Sequence, residues 1–283
     1  MLDITLHVLL ASLFTVGIRW TQTRVDYDVM AVGATNYIAA GVLGVVMLAV
    51  SGAWRLEWSW PAVVTGGALG SSYFIAFFLL LGTLRLRGAA IAGALSRLAV
   101  TIPIGLAVLA WNERPSVAQW VGIGVSAAAV LLMNAPQRES NETRSWRGTL
   151  ILSLFFLFVG ASFTSQEVFA HTATPDHLPV FLAAGFLMAS LGSVGLLIQR
   201  RVIPSWRELG AGVLIGACNA LQVVFLLRTL ERLPAFLTFA ISSAGGLLVT
   251  AAMAAGMLGE RLAPRRAGGV ALAAAALVLL QAR

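Results

Sequence analysis

Apolar runs long enough to cross a bilayer follow one another along almost the whole chain, with few charged residues between them. A hydrocarbon core of about 30 Å takes roughly 17–25 residues of helix. Runs of that length fall at residues 2–19, 29–50, 61–83, 87–110, 116–134, 148–169, 178–198, 208–228, 234–257 and 264–282. In lipid every backbone N–H and C=O has to be paired inside its own segment, so spans of this kind are helices. Charged residues make up 11% of the chain and mean hydropathy is +0.87, against roughly a quarter charged in a soluble domain. The predicted fold class is an all-α polytopic membrane protein with ten transmembrane helices.

Two further features mark the span ends. The tryptophans Trp20, Trp54, Trp58, Trp60, Trp111, Trp120, Trp146 and Trp206 all lie at or near them, where indoles favour the headgroup region. Pro61, Pro115, Pro179, Pro234 and Pro264 lie near span starts, where a missing N–H costs nothing. The net charge of +7 comes from arginines alone, with no lysine, and they fall between apolar runs rather than in a basic domain. That excludes a nucleic-acid partner and reads as an orientation signal. Thirteen loop and end arginines share one side and five the other, so the positive-inside rule puts both termini outside the cytoplasm. Arginine-only usage fits a GC-rich bacterial genome, and the expected location is the inner (plasma) membrane. Cys218 is the single cysteine, which rules out a disulfide framework and a cysteine metal motif. Met1-Leu2-Asp3 opens without a basic stretch, so no cleavable signal peptide is expected. No nucleophile elbow, His-Glu-x-x-His or phosphate-binding loop occurs. No enzyme activity, metal or cofactor is expected; the partners are membrane lipid and a small-molecule substrate, and the chain is expected to work as a monomer.

An internal repeat divides the chain. Glu113-Arg114 recurs 147 residues on as Glu260-Arg261. The same spacing, without gaps, pairs Ser96 with Ser243, Arg85-Leu86 with Arg232-Leu233 and Gly122 with Gly269. The halves are residues 1–135 and 147–283, joined by a polar linker at 136–146. A repeat with an odd number of spans enters the membrane from the opposite side the second time. Two five-helix halves therefore predict an inverted repeat, the architecture that supports alternating access.

Ten spans, two halves, and a Glu-Arg pair ending spans four and nine ahead of a Gly- and Ala-rich last span resemble the drug/metabolite transporter superfamily, EamA type. The resemblance covers nearly the whole chain. It implies a transporter whose central cavity is lined by spans one to four and six to nine, with spans five and ten as peripheral supports. The superfamily carries amino acids, drugs, sugar phosphates and nucleotide sugars, so the resemblance names no cargo.

Polar groups inside the spans supply the candidate site. Arg97 lies ten residues past Arg87, about 15 Å along a helix and near mid-bilayer. An arginine there costs about 2.5–3.5 kcal/mol on the mildest insertion scale. Two readings stand: the guanidinium grips a carboxylate or phosphate of the substrate, or it pairs with an acid, of which Glu167 is the nearest inside the membrane. Pro103 predicts a kink in span four beyond Arg97. Asn219 and Gln222 share a face of span eight; Ser72 and Tyr73 sit on span three, Ser96 on span four, Ser243 on span nine, Asn36 on span two, and Ser165 and Gln166 on span six. Each is a cavity contact or an interhelical hydrogen bond. His7 is a proton relay or a structural histidine, and Glu167 a coupling acid or a carboxylate that reaches out to water. Gly66-x-x-x-Gly70 and Gly212-x-x-x-Gly216 read as close-packing faces. Glu113 and Glu260 read as structural partners of neighbouring arginines. The pattern favours a carrier of a small polar metabolite, anionic or zwitterionic such as an amino acid, over a multidrug exporter of cationic or aromatic compounds and over a non-transporting scaffold.

Overall fold

The structure, a computed structural model, describes residues 1–23, 25, 27–55, 59–133, 146–258 and 264–281. Ten α-helices run in order: α1 Leu2–Thr23, α2 Val29–Ser51, α3 Trp60–Leu98, α4 Thr101–Leu109, α5 Val117–Met133, α6 Trp146–Thr172, α7 Leu178–Arg200, α8 Trp206–Leu230, α9 Ala235–Leu258 and α10 Pro264–Gln281. Eight apolar stretches are long enough to cross a membrane, and α5 and α10 supply two shorter ones. No strand occurs among the described residues. The chain is a multi-pass membrane protein. Most of the expected linker lies outside the described residues, as do Glu260 and Arg261.

Spans three and four depart from expectation. Helical structure runs on from Trp60 to Leu98 in one 39-residue element, through residues 84–86 where a separation was expected. The axis nonetheless changes direction. Ala76 and Ala92 belong to one core cluster with Phe155, yet a straight helix would hold them about 24 Å apart. The apolar content also divides in two, Trp60–Thr83 and Ile91–Leu109. The break falls at Ala99–Val100, between α3 and α4, and Pro103 causes it. Proline has no N–H for the carbonyl four residues back and its ring crowds that carbonyl. The Ala99 carbonyl instead accepts from the Ile102 N–H at 3.1 Å.

Helix starts are fixed by side chains. Asp28 accepts from the N–H of Met30 at 2.7 Å and of Ala31 at 3.2 Å, capping α2. Ser205 and Glu208 form a capping box at α8, satisfying donors that a helix start leaves free. Glu208 also accepts from the Asp28 N–H at 2.8 Å, which fastens the starts of α2 and α8 together.

The described residues form two compact units. The first holds Met1–Phe74 and Ser165–Arg232, the second Ile75–Thr164 and Leu233–Arg283. In the first, α2 packs on α7 and α8, and α1 on α8. Glycines set that spacing. A Cβ at Gly66 or Gly70 would run into the α7 backbone at Phe181 or Gly185, and one at Gly212 or Gly216 into α2 at Thr35 or Asn36. Both glycine pairs are close-packing faces, as their spacing predicts. In the second unit α5 lies along α10, with Gly122 against Leu279 and Leu280, and α9 meets α4, α5 and α10.

Candidate functional site

Inside the first unit, α2 and α8 place three side-chain amides in a continuous chain, and α1 brings a histidine to the main chain of its last member. Asn36 and Asn219 are buried and Gln222 is half-buried. Asn36 donates from Nδ2 to the Gly33 carbonyl at 3.5 Å. Asn219 Nδ2 donates to Asn36 Oδ1 at 3.2 Å, and Gln222 Nε2 to Asn219 Oδ1 at 2.8 Å. The ring Nδ1 of His7 lies 2.8 Å from the Gln222 carbonyl, which can only accept, so His7 carries its proton on that nitrogen.

The direction of this chain follows from its anchor. A backbone carbonyl accepts only, so Asn36 turns its NH2 to Gly33 and its oxygen to Asn219. That forces Asn219, and then Gln222, to do likewise. The chain therefore ends on Gln222 Oε1, an acceptor with no hydrogen-bond partner among the described residues. Aligned bonds polarise one another in a low dielectric, which strengthens that terminal acceptor towards a hydroxyl or ammonium donor.

Tyr73 lies in the same unit, stacked on Tyr37 at 6.2 Å and 27°. The Tyr37 hydroxyl donates to the Tyr73 carbonyl at 3.2 Å, and Phe186 packs on the Tyr73 ring at 6.0 Å. Glu167 on α6 is fully buried, so it does not reach out to water. Gln166 beside it is buried as well, with Ser165 and Ser72.

The second unit holds the remaining candidates. Arg97 near the end of α3 reaches α9: Nη1 donates to the Ser243 carbonyl at 3.4 Å, and Nη2 to the Gly246 carbonyl at 3.1 Å and to Thr250 Oγ1 at 2.9 Å. These acceptors are neutral, and Arg97 makes no ion pair among the described residues. Its described partners are thus neutral oxygens on α9. Gly246 makes room for it, since a Cβ there would stand 2.6 Å from Nη1. Ser96 donates to the Ala92 carbonyl at 3.0 Å, a local helix bond.

Glu113 does not do what its neighbour Arg114 suggested. Asn112 adopts a left-handed conformation, φ 54°, which turns the chain beyond α4 so that the Glu113 N–H bonds the Ala107 carbonyl at 3.0 Å. The carboxylate then accepts from the N–H groups of Ala235 and Phe236 at 2.8 and 2.9 Å. It caps α9.

The sequence reading missed Tyr37, Gly246 and Thr250. Adjacency to Asn36 and the helical spacing Ser243–Gly246–Thr250 were the available signals, but which helix faced Arg97 was not among them.

Comparison with known proteins finds one family for the first half of the chain. The family model described as EamA-like transporter family matches residues 3–135. The match spans a little under half of the chain, its first five helices. The family lies within the drug/metabolite transporter superfamily, so the resemblance seen in the sequence holds for the first half. One crystal structure, described only as that of a protein, is similar to the whole chain at 18% identity and a TM-score of 0.78, covering 99% of this chain and 95% of the other. At that identity the likeness speaks for the fold alone. No curated protein matches the sequence.

Proposed function

We propose that this EamA-like protein is a secondary active transporter of a small polar metabolite, anionic or zwitterionic such as an amino acid. Two inverted five-helix repeats, residues 1–135 and 147–283, exchange conformations to give alternating access. The direction is export, coupled to protons or to exchange, across the inner membrane with both termini outside the cytoplasm. The observation that carries the reading is the amide chain ending on Gln222 Oε1. Three oriented amides among apolar helices are costly to maintain for packing alone, and their open end is an acceptor suited to a polar cargo. The first set of contacts is Asn36, Tyr73, Asn219 and Gln222. Ser96, Arg97 and Ser243 form the second, with Arg97 favouring negative charge. Fully buried Glu167 and His7 are the coupling candidates, because an ionisable group inside the membrane is by default a functional one.

One observation favours the alternative, a multidrug exporter of cationic or aromatic compounds: the Tyr37–Tyr73–Phe186 cluster offers ring faces. Counterflow in proteoliposomes against amino acids, phosphorylated sugars and cationic dyes separates the two. Counterflow of an amino acid or sugar phosphate, lost in Gln222→Leu, is the expected result. Counterflow of dyes alone, unchanged in that variant, would replace the first reading with the second.

A further inference from the structure

Within the first unit, α2 and α7 leave an open groove of about 360 Å³ between them, walled on α2 by Val42 and Val46 and on α7 by Leu187, Leu191 and Val194. The Ser190 hydroxyl in its wall is already turned to the Tyr37 carbonyl at 2.8 Å, so the groove offers an occupant hydrocarbon contact alone. On α7 the stripe through Leu187, Leu191 and Val194 continues at helical spacing through exposed Ile198 to Arg201, about 10 Å beyond Val194 along the axis. Arg201 ends the helix in a left-handed conformation, φ 53°, at the position where glycine is the ordinary choice. Arg200 precedes it and Arg207 lies in the first turn of α8. All three arginines are exposed and make no ion pair among the described residues. The acids at this end of α2 and α8 are committed elsewhere: Asp28 to the N–H groups of Met30 and Ala31, Glu208 to those of Asp28 and Ser205. Between the arginines, Ile203 and Trp206 are 90% and 88% exposed, the composition of a segment seated at the membrane–water interface.

We propose that this groove and the arginines at its end bind one anionic phospholipid, with an acyl chain between α2 and α7 and the phosphate against Arg200 and Arg201. Charge selects the occupant. A guanidinium meets a phosphate through paired N–H donors, and arginines flanking a span attract anionic headgroups. A zwitterionic lipid fills the groove equally well but brings a cation of its own to the arginines. A second copy of this chain, docked groove to groove about an axis along the membrane normal, would bring two sets of unpaired arginines to the same end, and like charges across an interface oppose association. The proposal rests on α2, α7 and the loop to α8, and stands whichever cargo the carrier moves.

The test is native mass spectrometry of the purified full chain in detergent, titrated with phosphatidylglycerol or with phosphatidylcholine of the same acyl chains. The expected result is one saturable phosphatidylglycerol adduct, bound on the order of tenfold more tightly than phosphatidylcholine. Arg201→Gly removes the guanidinium and suits the left-handed position, so it keeps the fold; it and Arg200→Gln each lower the preference for phosphatidylglycerol. Leu191, 71% exposed, accepts a larger side chain without disturbing the core, and Leu191→Trp fills the groove and weakens both lipids alike. Equal binding of the two lipids, or a preference unchanged in both arginine variants, would overturn the site. Unchanged occupancy in Leu191→Trp would do the same, since the acyl chain would then lie elsewhere. So would dimers in place of lipid adducts, lost in Leu191→Trp, because the groove would then belong to a second copy. Transport assays play no part, so failure here leaves the carrier reading untouched.

Discussion

Three amides in the first unit point the same way because the Gly33 carbonyl, which can only accept, takes the Asn36 NH2. That makes their stability non-additive. Asn219→Leu strips a donor from Asn36 Oδ1 and an acceptor from Gln222 Nε2, and a buried group left unpaired costs about 1–3 kcal/mol. Melting of the purified protein is expected to fall by several degrees in Asn219→Leu. The fall is smaller in Asn36→Leu/Asn219→Leu than the two single losses combined, because removing both partners leaves no orphan between them. Additive losses would mean that the Asn36–Asn219 bond contributes nothing. The spacing of Asn219 and Gln222 was legible in the sequence. Their link to Asn36, 183 residues away, was not, since periodicity locates a face but not the face opposite. For the same reason Arg97 was recognised as a buried charge in need of partners, while the α9 carbonyls and the Gly246 notch that meet it were invisible.

At the scale of elements, chain-local chemistry was read well and contacts between helices poorly. The Pro103 break, the starts of most helices and the two glycine faces follow from residues adjacent in sequence. The Glu-Arg pairs were noticed as markers of a repeat, but the work of Glu113 depends on a helix start more than a hundred residues further on. Its carboxylate meets two free N–H donors and the positive end of α9 at once. Glu113→Ala is expected to lower unfolding stability by about 1–2 kcal/mol, the range for losing a helix cap. Glu113→Gln, keeping one acceptor oxygen, should lose less. Denaturant unfolding followed by helical circular dichroism checks both. The opposite order, with Gln costing more than Ala, would show that the carboxylate is not held by those two donors.

For the whole molecule, the count of apolar runs was nearly sufficient, because lipid leaves the backbone no alternative to helix. What it could not foresee is how the halves share their packing. Each compact unit takes helices from both halves of the sequence: the first joins α1 and α2 to α7 and α8, the second α4 and α5 to α9 and α10, while α3 and α6 contribute to both. A hydrophobic pattern repeats in the same way whether each half closes on itself or exchanges elements with the other, so sequence alone left this open. The consequence is testable by cutting the chain in the linker. Residues 1–135 contain neither the α7–α8 surface that α2 packs on nor the α10 face that α5 lies along. Expressed alone they are expected to be degraded or to aggregate, despite five apolar runs that insert individually. Expressed together, 1–135 and 136–283 should co-purify through a tag on either piece, because every helix then finds its partner in the same membrane. If the first piece alone yielded a monodisperse, protease-resistant species, it would be closing on itself and the exchanged packing would not be what holds the fold together.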